Sequence, residues 1–315
     1  MHWYENELNA EHVGALRATI SEGNLLVFLG SGLSYGAARR GQRGFFDLDN
    51  GSIPDYAHGG EDDRKPMPTW PQLIGRMRSR LRARAQESEQ DALTRFFQTE
   101  SALDCAEIFR RTVGDQNYRA FLQEQFDDSR HGDRCAPSPS HHEILKLGLP
   151  RLFTTNYDRL LERTYTANQL DCTVSSTEAD FKQTFSTKPA NHVVKLHGTI
   201  DKPDTVVLTR TDYSRARAER RTMFDALRTD MRSSTFLYLG FSLTDPNFNL
   251  LLDDVRDTLG MNAPVSYAVQ SNRDPVKDRY LEALGVNSIW IQSWNFLPDF
   301  IRRINPNSTA GPVGG

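Results

Sequence analysis

Short apolar runs recur along the chain, separated by stretches whose apolar residues are spaced as on one face of a helix. Runs of this length are typical of buried strands, and the longer spaced stretches are typical of helices. One such stretch predicts a single helix from Thr211 to Arg232. The predicted strands are Asn24 to Leu29, Arg151 to Thr155, His192 to Leu196, Thr205 to Leu208, Thr235 to Leu239, Val265 to Gln270 and Val286 to Ile291. Because strands and helices alternate, the pattern predicts an α/β fold, a Rossmann-like parallel sheet with helices on both faces.

One long section interrupts this alternation. Residues 71–126 keep helical spacing, and a stretch rich in Pro, Ser and Asp follows, which predicts a smaller inserted helical subdomain over residues 71–140. Residues 36–67 are rich in Gly, Asp, Arg and Pro and predict a long irregular loop, and residues 305–315 predict a flexible tail. With no internal repeat, residues 1–315 are interpreted as a single domain that carries this insertion.

Composition and charge argue against several classes of protein. The 315 residues are 38% hydrophobic and carry a net charge of −3, whereas a protein that binds nucleic acid over much of its surface is usually strongly basic. Cys105, Cys135 and Cys172 are far apart in sequence, which argues against a disulfide scaffold and a four-cysteine zinc site. The polar N-terminus and the lack of a long apolar run predict a cytoplasmic location.

Four motifs rich in glycine or polar side chains follow predicted strands. They are Gly30–Ser34, Thr154–Asp158, Lys195–Gly198 and Gly240–Asn247. The carboxyl ends of parallel strands meet at one edge of a sheet, where ligands bind, so the motifs are expected to lie together. Glycines let backbone N–H groups approach a pyrophosphate, and a histidine at a strand end is suited to act as a base near neutral pH.

Each motif also has a purely structural explanation. Two glycines suit a tight turn, Thr, Asn and Asp are natural helix N-caps, and Asp245 followed by Pro246 is an ordinary helix start. A single histidine is more often structural than catalytic, and His192 is not placed at a strand end. His141 and His142 lack further ligands at metal spacing, so no metal site is expected.

The order and spacing of the four motifs resemble the sirtuin superfamily. GSGLS resembles its GAGxS dinucleotide loop, TTNYD its TQN-hydrophobic-Asp element, KLHG its catalytic His-Gly, and GFSLTDPN its later ribose-contacting Gly-x-Ser element. The closest resemblance is to the bacterial sirtuin-like branch found in anti-phage defence proteins. The Pro-Ser-Trp-x-x-Leu element of that branch is matched by Pro68 to Leu73, and the resemblance covers roughly residues 20–295.

The resemblance implies a sirtuin-like domain that takes NAD as its substrate and hydrolyses the nicotinamide–ribose bond, giving nicotinamide and ADP-ribose. Such cleavage passes through an oxocarbenium-like state, as in glycoside hydrolysis. By resemblance, Asn156 orients the ribose and the water, His197 acts as the base and Asp158 supports the site, with no metal required. The residues implied in binding NAD are Gly30, Ser31, Gly32, Ser34, Thr155, Gly240, Phe241, Ser242, Asp245 and Asn247.

Several departures from the family pattern bear on the activity. Ser31 replaces the usual Ala of the loop, and Thr155 replaces the Gln that protein deacetylases carry before their catalytic Asn. The sequence IPDY at Ile53–Tyr56 is similar to the IPDF that flanks nicotinamide in deacetylases, at a displaced position. The cysteine-bound zinc module that frames the acyl-lysine cleft of deacetylases has no counterpart, which favours NAD hydrolysis over deacylation.

Three other activities stay open: an NAD-dependent protein deacylase, a non-catalytic sensor of NAD or ADP-ribose, and a nuclease or nucleic-acid-associated subunit. Local arginine patches could serve the last of these. The arginines concerned are Arg76, Arg80, Arg84, Arg215, Arg217, Arg220 and Arg221. An unrestrained NAD hydrolase would kill its host, so control of an NAD-depleting defence effector by homo-oligomeric assembly or by a partner is expected. A HerA-type ATPase and a short Argonaute are the candidate partners, and no membrane partner is expected.

Overall fold

A computed structural model describes residues 3–35, 67–68, 70–126, 137–243, 245–271 and 273–308. The predicted loop 36–67 therefore lies outside the described residues except for Met67, as does the predicted tail from residue 309 onward. The IPDY sequence, Cys135, Thr69 and Thr244 also lie outside them. At the described start of the predicted tail, Asn305 is buried, and its side-chain amide donates a hydrogen bond to the carbonyl oxygen of Lys146 at 3.1 Å.

The described residues form one seven-stranded parallel sheet. Its strands are β1 (Leu25–Leu29), β2 (Arg151–Thr154), β3 (Thr173–Ser175), β4 (His192–Lys195), β5 (Thr235–Leu239), β6 (Ser266–Ser271) and β7 (Val286–Ile291). Their order across the sheet is β3-β4-β2-β1-β5-β6-β7, and every neighbouring pair is parallel. The predicted Rossmann-like parallel sheet is confirmed.

Fourteen α-helices are present in the described residues. They are α1 (Glu7–Ser21), α2 (Ser31–Tyr35), α3 (Trp70–Arg82), α4 (Glu87–Thr99), α5 (Ala102–Val113), α6 (Asp115–Phe126), α7 (Pro139–Lys146), α8 (Leu160–Ala167), α9 (Glu178–Thr187), α10 (Arg210–Glu219), α11 (Arg221–Ser233), α12 (Pro246–Leu259), α13 (Pro275–Ala283) and α14 (Leu297–Ile304). No helix within the described ranges is long and apolar enough to cross a membrane.

Both faces of the sheet are covered by helices. Val27 and Leu29 of β1 belong to a buried cluster with α1, α7 and α14, whereas Phe28 belongs to a cluster with α11 and α12. Successive side chains of a strand point to opposite faces, so each strand contributes to both clusters. Burial on both faces explains why the strands appear in the sequence as continuous apolar runs and do not alternate with polar residues.

Helices α3 to α6 form a separate core beside the sheet. Their buried side chains, among them Leu73, Phe109 and Phe121, make a third cluster that also takes in Leu160 and Leu208 from the main body. Most of this cluster comes from residues of the predicted inserted helical subdomain.

Two arginines of the predicted patch on α3 bind a neighbouring helix of the same chain. Arg76 donates to Gln125 at 2.7 Å, and Arg80 forms an ion pair with Glu124 at 2.7 Å, both on α6. Arg84, the third member of that row, is exposed just after α3. The row is therefore not a continuous free basic face, because two of its three members hold α3 against α6.

Three local predictions are wrong. Thr205–Leu208 is not a strand: a 3-10 turn ends at Thr205, and the apolar residues after it pack on helices. The single helix predicted from Thr211 to Arg232 is two helices, which meet at Arg220. The short edge strand β3 has no counterpart among the predicted strands, because three residues are too few to give a recognisable apolar run.

The four strands that carry the motifs are neighbours in the sheet, in the order β4-β2-β1-β5. From β1 the chain builds one side of the sheet with β2, β3 and β4, and then crosses to β5 on the other side. Such a reversal leaves a crevice at the carboxyl ends of the central strands, where open α/β sheets bind their ligands. The topology therefore brings all four motifs to one crevice.

Candidate active site

A cavity of about 350 Å³ lies at these strand ends, between the sheet and the helical subdomain. Its size is at the lower end of the roughly 300–1,000 Å³ typical of ligand pockets. The predicted site residues that line it are Ser31, Ser34, Thr155, Asn156, Asp158, His197, Gly240, Phe241, Ser242 and Asp245. Gly30, Gly32 and Asn247 are not among the lining residues, so the cavity brings together most but not all of the predicted set.

The glycines of the first and fourth motifs pack against each other. Gly32 donates its backbone N–H to the carbonyl oxygen of Gly240 at 2.9 Å. A Cβ added to Gly30 would lie 2.6 Å from Cα of Phe241, and one added to Gly32 would lie 2.7 Å from Cα of Gly240. Contacts this short are not tolerated by real side chains, so glycine is required here for the loops after β1 and β5 to touch.

Ser34 joins the two predicted catalytic residues of the second motif. Its hydroxyl donates to Oδ2 of Asp158 at 2.7 Å and accepts a hydrogen bond from Nδ2 of Asn156 at 2.9 Å. The same amide nitrogen donates to the carbonyl oxygen of Gly30 at 3.0 Å. Both N–H groups of the Asn156 amide are thus used, and among the described residues its Oδ1 accepts no hydrogen bond. Asn156 can therefore contact a ligand only as an acceptor.

A buried lysine supports the loop that carries Asn156 and Asp158. Lys195, at the end of β4, is 1% exposed and donates to the backbone carbonyl oxygens of Tyr157 and Asp158. Its charge is paired with Glu162 on α8 at 2.7 Å. Sequence reasoning gave this lysine no role. The structure shows that it fastens the second motif to the strand that leads into the third.

His197 is buried directly after β4, and its surroundings favour a neutral ring. Burial lowers the pKa of His197, the Asp245 carboxylate opposes that shift, and the Arg220 guanidinium adds to it. A general base must be unprotonated before it can accept a proton. A neutral imidazole at neutral pH is therefore the charge state that the predicted role of His197 needs.

The turn that carries His197 is held in place by a glycine and by a buried arginine. The chain turns at Gly198 with φ +82, where a Cβ would lie 2.6 Å from the Thr205 hydroxyl oxygen. The buried guanidinium of Arg220 donates to the carbonyl oxygens of Leu196 and Thr205 on either side of this turn. Arg220 thus holds the loop that carries His197 in place, and it does not belong to a surface patch of arginines.

Two further side chains stand beside His197. The Tyr213 hydroxyl donates to Oδ2 of Asp245 at 2.8 Å and lies 3.5 Å from Nδ1 of His197. Nε2 of His197 lies 3.4 Å from the same Asp245 oxygen. Asp245 also caps α12, since its Oδ1 accepts the backbone N–H of Phe248 at 2.9 Å. The sequence assigns Asp245 to NAD binding and gives Tyr213 no role, so this arrangement emerges only from the fold.

Apolar side chains from α3, α5 and α6 also line the cavity. Trp70, Leu73, Leu103 and Phe126 line it. Pro68 lines it as well, so the element that resembles Pro-Ser-Trp-x-x-Leu lies at the cavity wall. A cavity lined by both polar and apolar side chains suits a ligand with both charged and aromatic parts.

Comparison with known proteins agrees with this architecture. Residues 150–289 match the family model described as SIR2-like domain. NAD(+) hydrolase ThsA of Enterococcus faecium is 26% identical over 239 residues, covering 75% of this chain and 46% of that protein. NAD(+) hydrolase ThsA of Acinetobacter baumannii (strain 532279) is 30% identical over 166 residues, covering 53% of this chain and 34% of that protein. Defense-associated sirtuin 2 of Bacillus subtilis is 21% identical over 235 residues, covering 74% of this chain and 22% of that protein.

This chain spans less than half the length of these curated relatives. The region that matches the family model holds the second, third and fourth motifs, together with Asn156, His197 and Asp245. The first motif lies outside that region, on the central strand of the same sheet. Residues 150–289 are thus similar to a SIR2-like domain, in agreement with the sirtuin resemblance of the motifs.

Proposed function

We propose that this protein hydrolyses NAD to nicotinamide and ADP-ribose. The observation that carries the proposal is the convergence of Asn156, Asp158 and His197 in one cavity, with the Asn156 acceptor oxygen unused and His197 neutral. The SIR2-like domain and the relatives named NAD(+) hydrolase support the choice of substrate. NAD is a substrate in this proposal, and the chemistry needs no metal.

The proposed reaction exchanges one bond at the ribose C1′ for another. The C1′–nitrogen bond breaks and its electron pair leaves with nicotinamide, which departs neutral because the ring nitrogen was positively charged in NAD. Water adds to C1′ of the oxocarbenium-like ribose, and its proton passes to His197. Asn156 Oδ1 accepts a hydrogen bond from the water or from a ribose hydroxyl and so orients it. Asp158 holds Ser34, and through it the Asn156 amide.

Binding of the rest of NAD is assigned to the loops after β1, β2 and β5. We assign the phosphates and the adenosine ribose to the backbone of Gly240 and to the hydroxyls of Ser31 and Ser242. Gly30 and Gly32, whose N–H groups bond to Leu239 and Gly240, contribute by letting these loops pack together. The close packing of these loops gives a rigid backbone surface at the crevice, which supports this assignment. Thr155, Phe241 and Asn247 complete the proposed binding set.

Incubation of the purified protein with NAD, followed by chromatography of the products, tests the proposal. We expect nicotinamide and ADP-ribose in equal amounts. Intact NAD together with deacylation of an acylated peptide would identify a deacylase instead. Tight binding of NAD or ADP-ribose with no turnover in any assembly state would identify a sensor.

We further propose that the protein depletes NAD in bacterial anti-phage defence and is restrained by assembly. The relative named defense-associated sirtuin 2 supports the setting. Restraint would come from a homo-oligomer or from a partner such as a HerA-type ATPase or a short Argonaute. Mass photometry combined with NAD hydrolysis assays, with and without the products of neighbouring genes, tests this. Full activity of an isolated monomer would contradict it.

A further inference from the structure

Tyr213 and Asp245 line the cavity, and both contact His197. We propose that both are positioning residues for His197: Asp245 stabilises the protonated ring that forms during turnover, and Tyr213 holds the Asp245 carboxylate in place. This inference rests on the proposed NAD hydrolysis. It adds two residues that control the protonation of His197, the proposed base.

The geometry gives the Asp245 carboxylate an anchored position. Its Oδ1 accepts the N–H of Phe248 at the start of α12, which belongs to the frame of the fold. Its Oδ2 accepts the Tyr213 hydroxyl at 2.8 Å and lies 3.4 Å from Nε2 of His197. Tyr213 meets the His197 ring edge-on with 5.1 Å between ring centroids. Both oxygens of the Asp245 carboxylate are therefore held by the protein beside His197.

The charges around His197 make this carboxylate its main electrostatic support. Asp245 faces His197 from the start of α12 and favours the protonated ring, while Arg220, between α10 and α11, disfavours it. Asp158 and Tyr157, from the loop after β2, line the same cavity. Burial, and after it the Asp245 charge, raises the pKa of Tyr213 well above its usual value, so Tyr213 stays protonated and remains a donor.

Proton transfer from water creates a cation on His197 inside a buried cavity. A charge in such a site is costly unless an opposite charge lies near it, and Asp245 supplies that charge. A carboxylate that orients a histidine base and stabilises its imidazolium is a recurrent arrangement in enzymes. The Tyr213 hydrogen bond draws electron density from the carboxylate and so keeps His197 from becoming protonated before the substrate binds.

Two conservative variants separate positioning from NAD binding. Asp245→Asn removes the charge but keeps the α12 cap, since Asn is also a good N-cap. Tyr213→Phe removes only the hydroxyl. Asp274→Asn is a matched control, because Asp274 likewise precedes a proline and caps α13 by accepting the N–H groups of Val276 and Lys277. Tyr165→Phe, on buried α8, is the control for loss of a tyrosine hydroxyl.

We expect the pKa of His197, measured by NMR with labelled histidine, to fall in Asp245→Asn and to rise in Tyr213→Phe. The acid limb of the pH–rate profile should move in the same two directions. Each variant should lower kcat by about tenfold or more, a share of the roughly 10²–10⁴-fold that a general base contributes. KM and Kd for NAD should change little, and both controls should match the wild type.

An Asp245→Asn variant that weakens NAD binding while keeping kcat would overturn the inference and make Asp245 a binding residue. An unchanged His197 pKa in both variants would overturn it as well. Failure of the wild type to hydrolyse NAD would instead reject the proposed function. The NMR titration would still decide whether Tyr213 and Asp245 control the His197 proton.

Discussion

Asn156 keeps one hydrogen-bonding group for a ligand, because its two N–H groups are donated to Gly30 and Ser34. Asn156→Ala is expected to lower kcat for NAD hydrolysis by about 10²-fold or more, the usual cost of removing a group that acts on the transition state. Most NAD affinity should remain, since the phosphates are bound elsewhere. Initial rates and calorimetry measure the two effects. Asn262→Ala, at an exposed position, is the control, and near wild-type kcat in Asn156→Ala would reject the assignment.

Ser34 is expected to affect both stability and kcat through its hydrogen bonds with Asp158 and Asn156. Ser34→Ala leaves a buried Asp158 oxygen and an Asn156 N–H without their partner, which typically costs about 1–3 kcal/mol of stability. Because the Asn156 amide is then held only by its hydrogen bond to Gly30, kcat should fall while Kd for NAD stays close to that of the wild type. Denaturant titration and steady-state kinetics test both effects, with Ser21→Ala, at the exposed end of α1, as control. A large loss of affinity with unchanged kcat would mean that Ser34 binds the phosphates.

At the residue scale, the sequence predicts that the motif residues lie together at one edge of the sheet, and it misses those neighbours that only the fold brings there. Asn156 and His197 follow apolar strands directly, so strand-end reasoning brings them to one edge of the sheet. Tyr213 lies on a polar helix with no motif around it, and it reaches His197 only because α10 packs over the β4 end. The role of Ser34 was also beyond the sequence, since its partners lie more than a hundred residues away in the chain.

At the scale of secondary-structure elements, the loops after β1 and β5 are in direct backbone contact, so a change in one loop is expected to disturb the other. Gly240 has φ +62, and a Cβ there would lie 2.7 Å from the backbone carbon of Gly32. Gly240→Ala is therefore expected to cost more than the roughly 1–2 kcal/mol of left-handed backbone strain alone, and to reduce NAD binding as the loops separate. Gly23→Ala is the control, because Gly23 has φ +70 with no atom near its added Cβ. Equal losses of stability in the two variants would show that the loop contact contributes nothing.

The sequence predicted the central strands correctly. It failed where tertiary packing gives a loop the apolar spacing of a strand, or ends a helix without a local sequence signal. Val206 and Leu208 are apolar because they bury against the helical subdomain, and the spacing is the same as in a strand. The break between α10 and α11 has no proline or glycine. It occurs where Arg220 turns inward to bind the carbonyl oxygens of Leu196 and Thr205, a contact invisible in the local sequence.

At the scale of the whole molecule, buried histidines make stability depend on pH. Burial lowers the pKa of His141 and of His192 to about 4, below the usual value of about 6.5. The unfolded chain binds these protons first, so as pH falls from about 6.5 toward 4 the unfolded state is favoured. We expect the free energy of unfolding to fall by a few kcal/mol over that window, as measured by denaturant titration at a series of pH values.

His192→Gln tests the source of that pH dependence. His192 bonds with the Ser175 hydroxyl at 2.8 Å and stacks on Phe181, and a glutamine keeps a polar group for Ser175 but does not titrate. The variant should be less stable at pH 7 and should lose less of its remaining stability between pH 7 and pH 4. The same slope as in the wild type would show that this histidine does not contribute to acid unfolding.

The central position of β1 determines when the sheet and the cavity can form as the chain is synthesised. Leu25 pairs with Thr235 and Val27 pairs with Leu152, so β1 must wait for partner strands that are encoded more than a hundred residues later. Until β5 and the loop after it emerge, the cavity lacks the wall that contains Gly240 and Asp245, and His197 lacks its carboxylate. Contacts so distant in sequence form late in folding. We therefore expect a nascent chain to lack the complete cavity until the residues that follow β5 have been translated.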